Sequence, residues 1–227
     1  MLKDIVRILT KIIVNGEETI MIDSIIFDLD GTLWDATDGA AVVWKEVASK
    51  HPEITDTITA DKLKSLYGLP LEEIAVKLLV SAPEEIALAV MKESCEKQCP
   101  YLEKVGGILY PKLEETLTEL KKKYRLFIVS NCEEGYIQCF LKAHQLQDFF
   151  EDFEYPGRSG VLKTDNIHLI IERNHLQHPV YLGDTLGDAT ATKGAGIPFV
   201  FARYGFGQVE EYDYVIDSFE ELLHLEK

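Results

Sequence analysis

The stretch IIFDLDGTLWD, residues Ile25 to Asp35, follows an apolar run with two aspartates, Asp28 and Asp30, and then Gly31 and Thr32. Two carboxylates so close repel each other, and neither belongs inside a hydrophobic sheet. The run before them has the composition of a buried strand, so the pair stands at a strand exit. In open α/β sheets that is where ligands bind.

Further apolar runs recur along the chain, each ending near polar residues. They are YRLFIVSN at Tyr124 to Asn131, PVYLGD at Pro179 to Asp184, IPFVFA at Ile197 to Ala202 and YDYVID at Tyr212 to Asp217. Near-continuous apolarity suits strands covered on both faces. Helical patterns lie between them, at Tyr110 to Lys123, Glu134 to Ala143, Thr164 to Asn174 and Asp188 to Lys193. This alternation predicts an α/β fold with a Rossmann-like, doubly wound parallel sheet. Asp38 to Lys104 breaks the rhythm. It has no good strand and reads as several helices, with Ala41, Trp44 and Val47 on one face and Leu71, Ile74, Ala75 and Leu78 on another. An all-helical module is therefore expected at 37–105, inserted into a core made of 21–36 and 106–227. Ser81 with Glu84, and Ser218 with Glu221, have capping-box spacing.

Residues 1–20 admit three readings. Ile5, Ile8, Leu9, Ile12 and Ile13 fall on one helical stripe; Asn15-Gly16 could instead turn a hairpin; or the segment is a translated leader ahead of Met21. Arg7 and Lys11 interrupt its apolar character and argue against a signal peptide.

The 227 residues carry 23 basic and 39 acidic side chains, a formal charge of −16. Such a field argues against nucleic acid and membrane surfaces as partners. A small phosphorylated metabolite remains compatible, because a metal ion can reverse the sign of one pocket. No Cys-x-x-Cys pair occurs among the four cysteines, so reduced thiols and a cytoplasmic location are expected. Monomer and dimer both stay open.

The polar residues at the strand exits form a set. The first exit carries Asp28, Asp30, Gly31 and Thr32, and the second carries Ser130 and Asn131. Lys163 stands in GVLKTDNI, and Asp184 and Asp188 in GDTLGD. Converging carboxylates suit a hard divalent cation with oxygen ligands, and Mg²⁺ fits best. Asp28 could then attack phosphorus, Asp30 could protonate the leaving oxygen and later activate water, and Gly31 would let the backbone approach the phosphate. Ser130 could hydrogen-bond a phosphate oxygen, and Lys163 could offset charge on Asp28 and the phosphoryl group. Taken singly, each piece could be a turn, a helix cap or a surface charge. Their order and their places at strand exits make the catalytic reading the better one.

In these four motifs the chain resembles the haloacid dehalogenase-like hydrolases, in particular the phosphoglycolate-phosphatase-like branch with a helical cap. The resemblance covers nearly everything from Met21 onward. It implies an aspartyl-phosphate intermediate on Asp28, with Asp30 as general acid and base. It also implies Mg²⁺ held by Asp28, the main-chain carbonyl of Asp30, and Asp184, with Asp188 in support. Dehalogenases in that family lack the second aspartate, so Asp30 favours phosphoryl transfer. A phosphomutase of the β-phosphoglucomutase type keeps the same motifs and is the alternative, followed by a non-catalytic phosphate sensor. Arg158 could contact an anionic substrate or lie in a surface loop. The ARYGFG stretch, Ala202 to Gly207, could line the site mouth. Trp34 and Trp44 are expected to pack.

Overall fold

The computed structural model describes residues 12–14, 18–20 and 22–223. At its start, β1 (Ile12–Val14) pairs antiparallel with β2 (Glu18–Ile20), Ile13 facing Thr19. The hairpin reading therefore holds for these strands, and the helical stripe fails at Ile12 and Ile13, where β-branched residues favour extended backbone. Ile5, Ile8, Leu9, Asn15, Gly16 and Met21 lie outside the described residues.

The core is a sheet of parallel strands in the order β10-β9-β8-β3-β6-β7. In chain order these are β3 (Ser24–Phe27), β6 (Arg125–Val129), β7 (Asp152–Glu154), β8 (Pro179–Gly183), β9 (Phe199–Ala202) and β10 (Tyr214–Ile216). Alternate side chains of β3, β6, β8 and β9 enter opposite cores. Ile25, Phe27, Leu126, Ile128, Val180 and Leu182 pack on one face, while Ile26, Phe127, Val129, Tyr181, Phe199 and Phe201 pack on the other. This double burial is why the strands read as unbroken apolar runs. Register places Phe27 beside both Ile128 and Leu182, so the residues after β3, β6 and β8 emerge side by side.

The chain leaves the core along β4 (Trp34–Asp35) and returns along β5 (Ile108–Leu109). These strands pair antiparallel, Trp34 with Leu109 and Asp35 with Ile108. Between them run α1 (Thr37–Ala48), α2 (Ala60–Lys64), α3 (Leu71–Leu78) and α4 (Glu84–Val105). Ala41, Trp44, Val47, Ile74, Ala75 and Leu78 meet in an apolar cluster of their own. Helix α4 continues through Pro100. Glu96, whose carbonyl loses a donor there, and Pro100 are both exposed to water.

The core helices are α5 (Leu113–Leu120), α6 (Tyr136–His144), α7 (Pro156–Ser159), α8 (Lys163–Asn174) and α9 (Leu186–Ala195). Two expected capping boxes are absent. Ser81 binds Asp56 through both its amide and its hydroxyl, and α4 starts after Pro83. Glu221 accepts from the Asp217 amide at 3.0 Å, and the segment that follows Ser218, Phe219–Leu223, is a 3-10 turn. In both places a nearby partner outcompetes the local cap. No helix among the described residues is long and apolar enough to cross a membrane.

Strand β7 has no counterpart in the sequence reading, because two of its three residues are acidic. Its charges are met from outside the sheet. Glu154, whose side chain is 3% exposed, pairs with Arg158 at 2.7 Å and Arg173 at 2.9 Å, and Asp152 pairs with Arg173 at 2.8 Å. Burial alone would raise the Glu154 carboxyl, but hydrogen bonds from Arg158 and Arg173 outweigh it and hold the group below its usual value of 4.5. A group depressed in the folded state stabilises the fold above its unfolded pKa, and the contribution is lost as pH falls through the folded value. Glu154→Gln should therefore cost about 1–3 kcal/mol near neutrality. In urea titrations against pH, the gap between wild type and variant should close below about pH 4.5.

Candidate active site

Asp28 leaves β3 with its amide bonded to the Leu182 carbonyl at 2.8 Å, which aims its side chain over the carboxyl edge of the sheet. Asp184 follows β8, and Asp188 lies in the first turn of α9. Oxygens of Asp28, Asp184 and Asp188 lie within 4.8 Å of one another, and all three residues are buried. Lys163, the first residue of α8, reaches into this cluster, 2.7 Å from Asp28 and 2.6 Å from Asp188.

Each carboxylate is held differently. Asp188 accepts from Lys163, from the Thr185 amide at 2.9 Å and from the Thr185 hydroxyl at 2.7 Å; Thr185 in turn accepts from the Asp188 amide, closing a capping box on α9. Burial would raise its carboxyl, but Lys163 and Thr185 outweigh that and hold it low. Asp184 accepts from Thr32 Oγ1 at 3.2 Å and the Phe206 amide at 2.7 Å. Burial, then Asp188 and Asp28, push its carboxyl far above the ordinary range. Asp28 is raised to about 6 by burial and by Asp188, against the pull of Lys163. Lys163 loses to burial but gains more from its two carboxylate partners, so its ammonium stays charged.

Three buried carboxylates share one ammonium, and the strain falls on Asp184, which has no cationic partner among the described residues. The donor set is all oxygen, and the charge deficit matches a hard divalent cation. These residues fit such an ion.

Asp30 stands apart from the cluster. Tyr136 donates to its Oδ1 at 2.9 Å, and burial followed by Asp28 raises its carboxyl to about 8. Burial thus favours its protonated form. Asp28, Asp30, Ser130, Asn131 and Lys163 all line a cavity of about 60 Å³. Gly31 and Thr32 do not line it and instead back Asp184. A Cβ on Gly31, whose φ is +82°, would lie 2.2 Å from Asp184 Oδ2. Asn131 donates from Nδ2 to the Gly68 carbonyl at 3.3 Å, tying the second strand exit to the helical insert.

The insert roofs the cavity with Trp44, Tyr67, Gly68 and Gln98 among others. Gly68, at φ +93°, sits against Thr185, and the Tyr67 ring meets Phe206 edge-on with centroids 5.9 Å apart. Trp34 is buried against Tyr136 and Phe140, as a packing residue. Trp44 packs in the insert and also lines the cavity. The ARYGFG stretch supports the site from behind: Tyr204 donates to the Thr32 carbonyl at 2.9 Å, and a Cβ on Gly205 would lie 2.3 Å from Asp184 Cβ. Arg158 does not line the cavity. It is held by Glu154 and stacks on Phe153 and Tyr155. Sequence reasoning missed Tyr136, Thr185, Gly68 and Gln98. For Thr185 the signal was there, since it lies inside the quoted GDTLGD, and Tyr136 falls in the helical pattern Glu134 to Ala143.

A family model for haloacid dehalogenase-like hydrolases matches residues 25–202. The chain belongs to that family, and it is an enzyme of the hydrolase class. It is similar to the phosphoglycolate phosphatase of Vibrio vulnificus, 28% identical over 215 residues that cover 88% of this chain and 93% of that one. The phosphoglycolate phosphatase of Nitrosospira multiformis is 26% identical, covering 82% and 86%. A haloacid dehalogenase-like family hydrolase from Streptococcus pneumoniae shares the fold with a TM-score of 0.77 at 23% identity, covering 89% of this chain and 97% of that one. So does CbbY from Rhodobacter sphaeroides, solved in complex with phosphate, with a TM-score of 0.73 at 21% identity and coverage of 91% and 100%.

Gly31→Ala should displace Asp184 and weaken divalent-cation binding about tenfold or more, as read by calorimetric titration with Mg²⁺.

Proposed function

We propose that the protein is a Mg²⁺-dependent phosphatase that hydrolyses a small phosphomonoester through an aspartyl-phosphate on Asp28. The observation that carries this reading is a division of labour between two carboxyls on one cavity. Asp28 is bonded to a buried ammonium, while Asp30, two residues on, is raised to about 8. A nucleophile and an acid with separated pKa values are what displacement at phosphorus requires. The phosphatase names of the two curated relatives support the same reading.

Asp28, Asp184 and Asp188 would hold the metal, together with the main-chain carbonyl of Asp30. When bound, Mg²⁺ supplies charge neutralisation for the phosphoryl oxygens. A carboxylate oxygen of Asp28 attacks phosphorus, and the P–O bond to the leaving alcohol breaks as Asp30 gives that oxygen its proton. Asp30, now ionised, takes a proton from water, whose oxygen attacks the phosphoryl group on Asp28. The products are inorganic phosphate, free Asp28 and reprotonated Asp30. Ser130 and Lys163 orient and neutralise the phosphate, and Tyr136 holds the Asp30 carboxyl in line. Residues 37–105 act as a cap that closes over the site and excludes water.

Asp28→Asn should lower phosphate release by about 10³-fold or more while leaving the thermal midpoint close to wild type. An unchanged rate would sink the covalent route. Tyr136→Phe removes a donor that favours the ionised form of Asp30, so the Asp30 pKa should rise. If Asp30 acts as the acid, the alkaline limb of kcat against pH should move up and kcat should fall about tenfold.

A further inference from the structure

The cavity's charges are unevenly placed. Its phosphate end holds Lys163, the one cation among the described lining residues, and both of that ammonium's contacts go to Asp28 and Asp188. The same lining carries Glu133 and Glu134, and neither is ion-paired to any described cation. Three cations outside the lining are committed elsewhere. Arg158 and Arg173 are held by Glu154, and Lys64 by Asp35 at 2.7 Å. Gln98 belongs to the same lining. It is 7% exposed, lines the cavity, and its amide has no hydrogen-bond partner among the described residues. A buried amide left open toward a cavity calls for a polar group on whatever enters.

We infer, on the basis of the phosphatase reading above, that the substrate is a small phosphomonoester whose leaving alcohol carries no negative charge. A hydroxyl or ammonium group at its far end meets Gln98, and Glu133 and Glu134 exclude carboxylated esters. Like charges brought together in one cavity repel, and the repulsion is screened by salt. A terminal carboxylate would meet two of them with no cation to offset the repulsion. A hydroxyl meets no such penalty, and an ammonium is attracted. The specificity of this chain would then differ from the activity for which its curated relatives are named.

Three esters differing at one end test this: phosphoglycolate, 2-hydroxyethyl phosphate and 2-aminoethyl phosphate, which present a carboxylate, a hydroxyl and an ammonium. With Mg²⁺ present, kcat/KM for phosphoglycolate should fall about tenfold or more below that of at least one of the others. Which of the two leads tells a site that selects a neutral end from one that selects a cationic end. In the double variant Glu133→Gln, Glu134→Gln the ratio should shift about tenfold toward phosphoglycolate. Added salt should move the wild-type ratio the same way, a measurement independent of how the variant folds. If wild type prefers phosphoglycolate, or if neither the variant nor salt moves the ratio, the inference is overturned and the phosphatase reading stands. No phosphate release from these or from a broad ester panel overturns both.

Discussion

The ammonium of Lys163, buried between Asp28 and Asp188, is the interaction on which the site depends. It begins helix α8, where the helix dipole disfavours a cation. Two carboxylates at hydrogen-bond distance outweigh that and the loss of water. The same contact lets Asp28 stand ionisable at the edge of an apolar sheet, and it keeps Asp188 charged. What it does not reach is Asp184, so the cluster is still short of positive charge. A divalent ion answers that deficit, and the local structure behind Asp184 is built for close approach, with Gly31 and Gly205 leaving room where any side chain would collide.

The sheet explains why four separated segments meet. Parallel strands in register release their following residues at one edge, and β3 lies between β6 and β8. The residues after those three strands are Asp28, Ser130 and Asp184. The insert then covers that edge through a small number of polar and close-packed contacts. Asn131 binds Gly68, Gly68 rests on Thr185, and Tyr67 meets Phe206. Its own apolar cluster is separate from both cores of the sheet. The antiparallel pair β4 and β5 is a short joint between two packed bodies.

Much of this was legible in residue order. The strands at Ile25, Tyr124, Pro179 and Ile197 announced themselves because burial on both faces leaves no polar position to interrupt them. Strand β7 was hidden because its acidic residues are answered by Arg158 and Arg173, contacts that cross sequence and leave no periodic trace. The supposed caps at Ser81 and Ser218 failed for a related reason: a local pattern cannot reveal that Asp56 or the Asp217 amide stands closer. Arg158 looked available for a substrate until Glu154 was seen to hold it.

By itself, the sequence determined the fold class, the family and the set of residues capable of the chemistry, because these follow from burial periodicity and from short motifs tied to strand exits. Tertiary structure alone decided how charge is shared. It set Asp30 apart under Tyr136 with its carboxyl raised by burial, turned Gly31 and Thr32 toward Asp184, and gathered Glu133, Glu134 and Gln98 into the lining of the same cavity as Lys163. Electrostatic roles depend on distance and solvent exclusion between residues far apart in the chain, and neither quantity is written in the order of the residues.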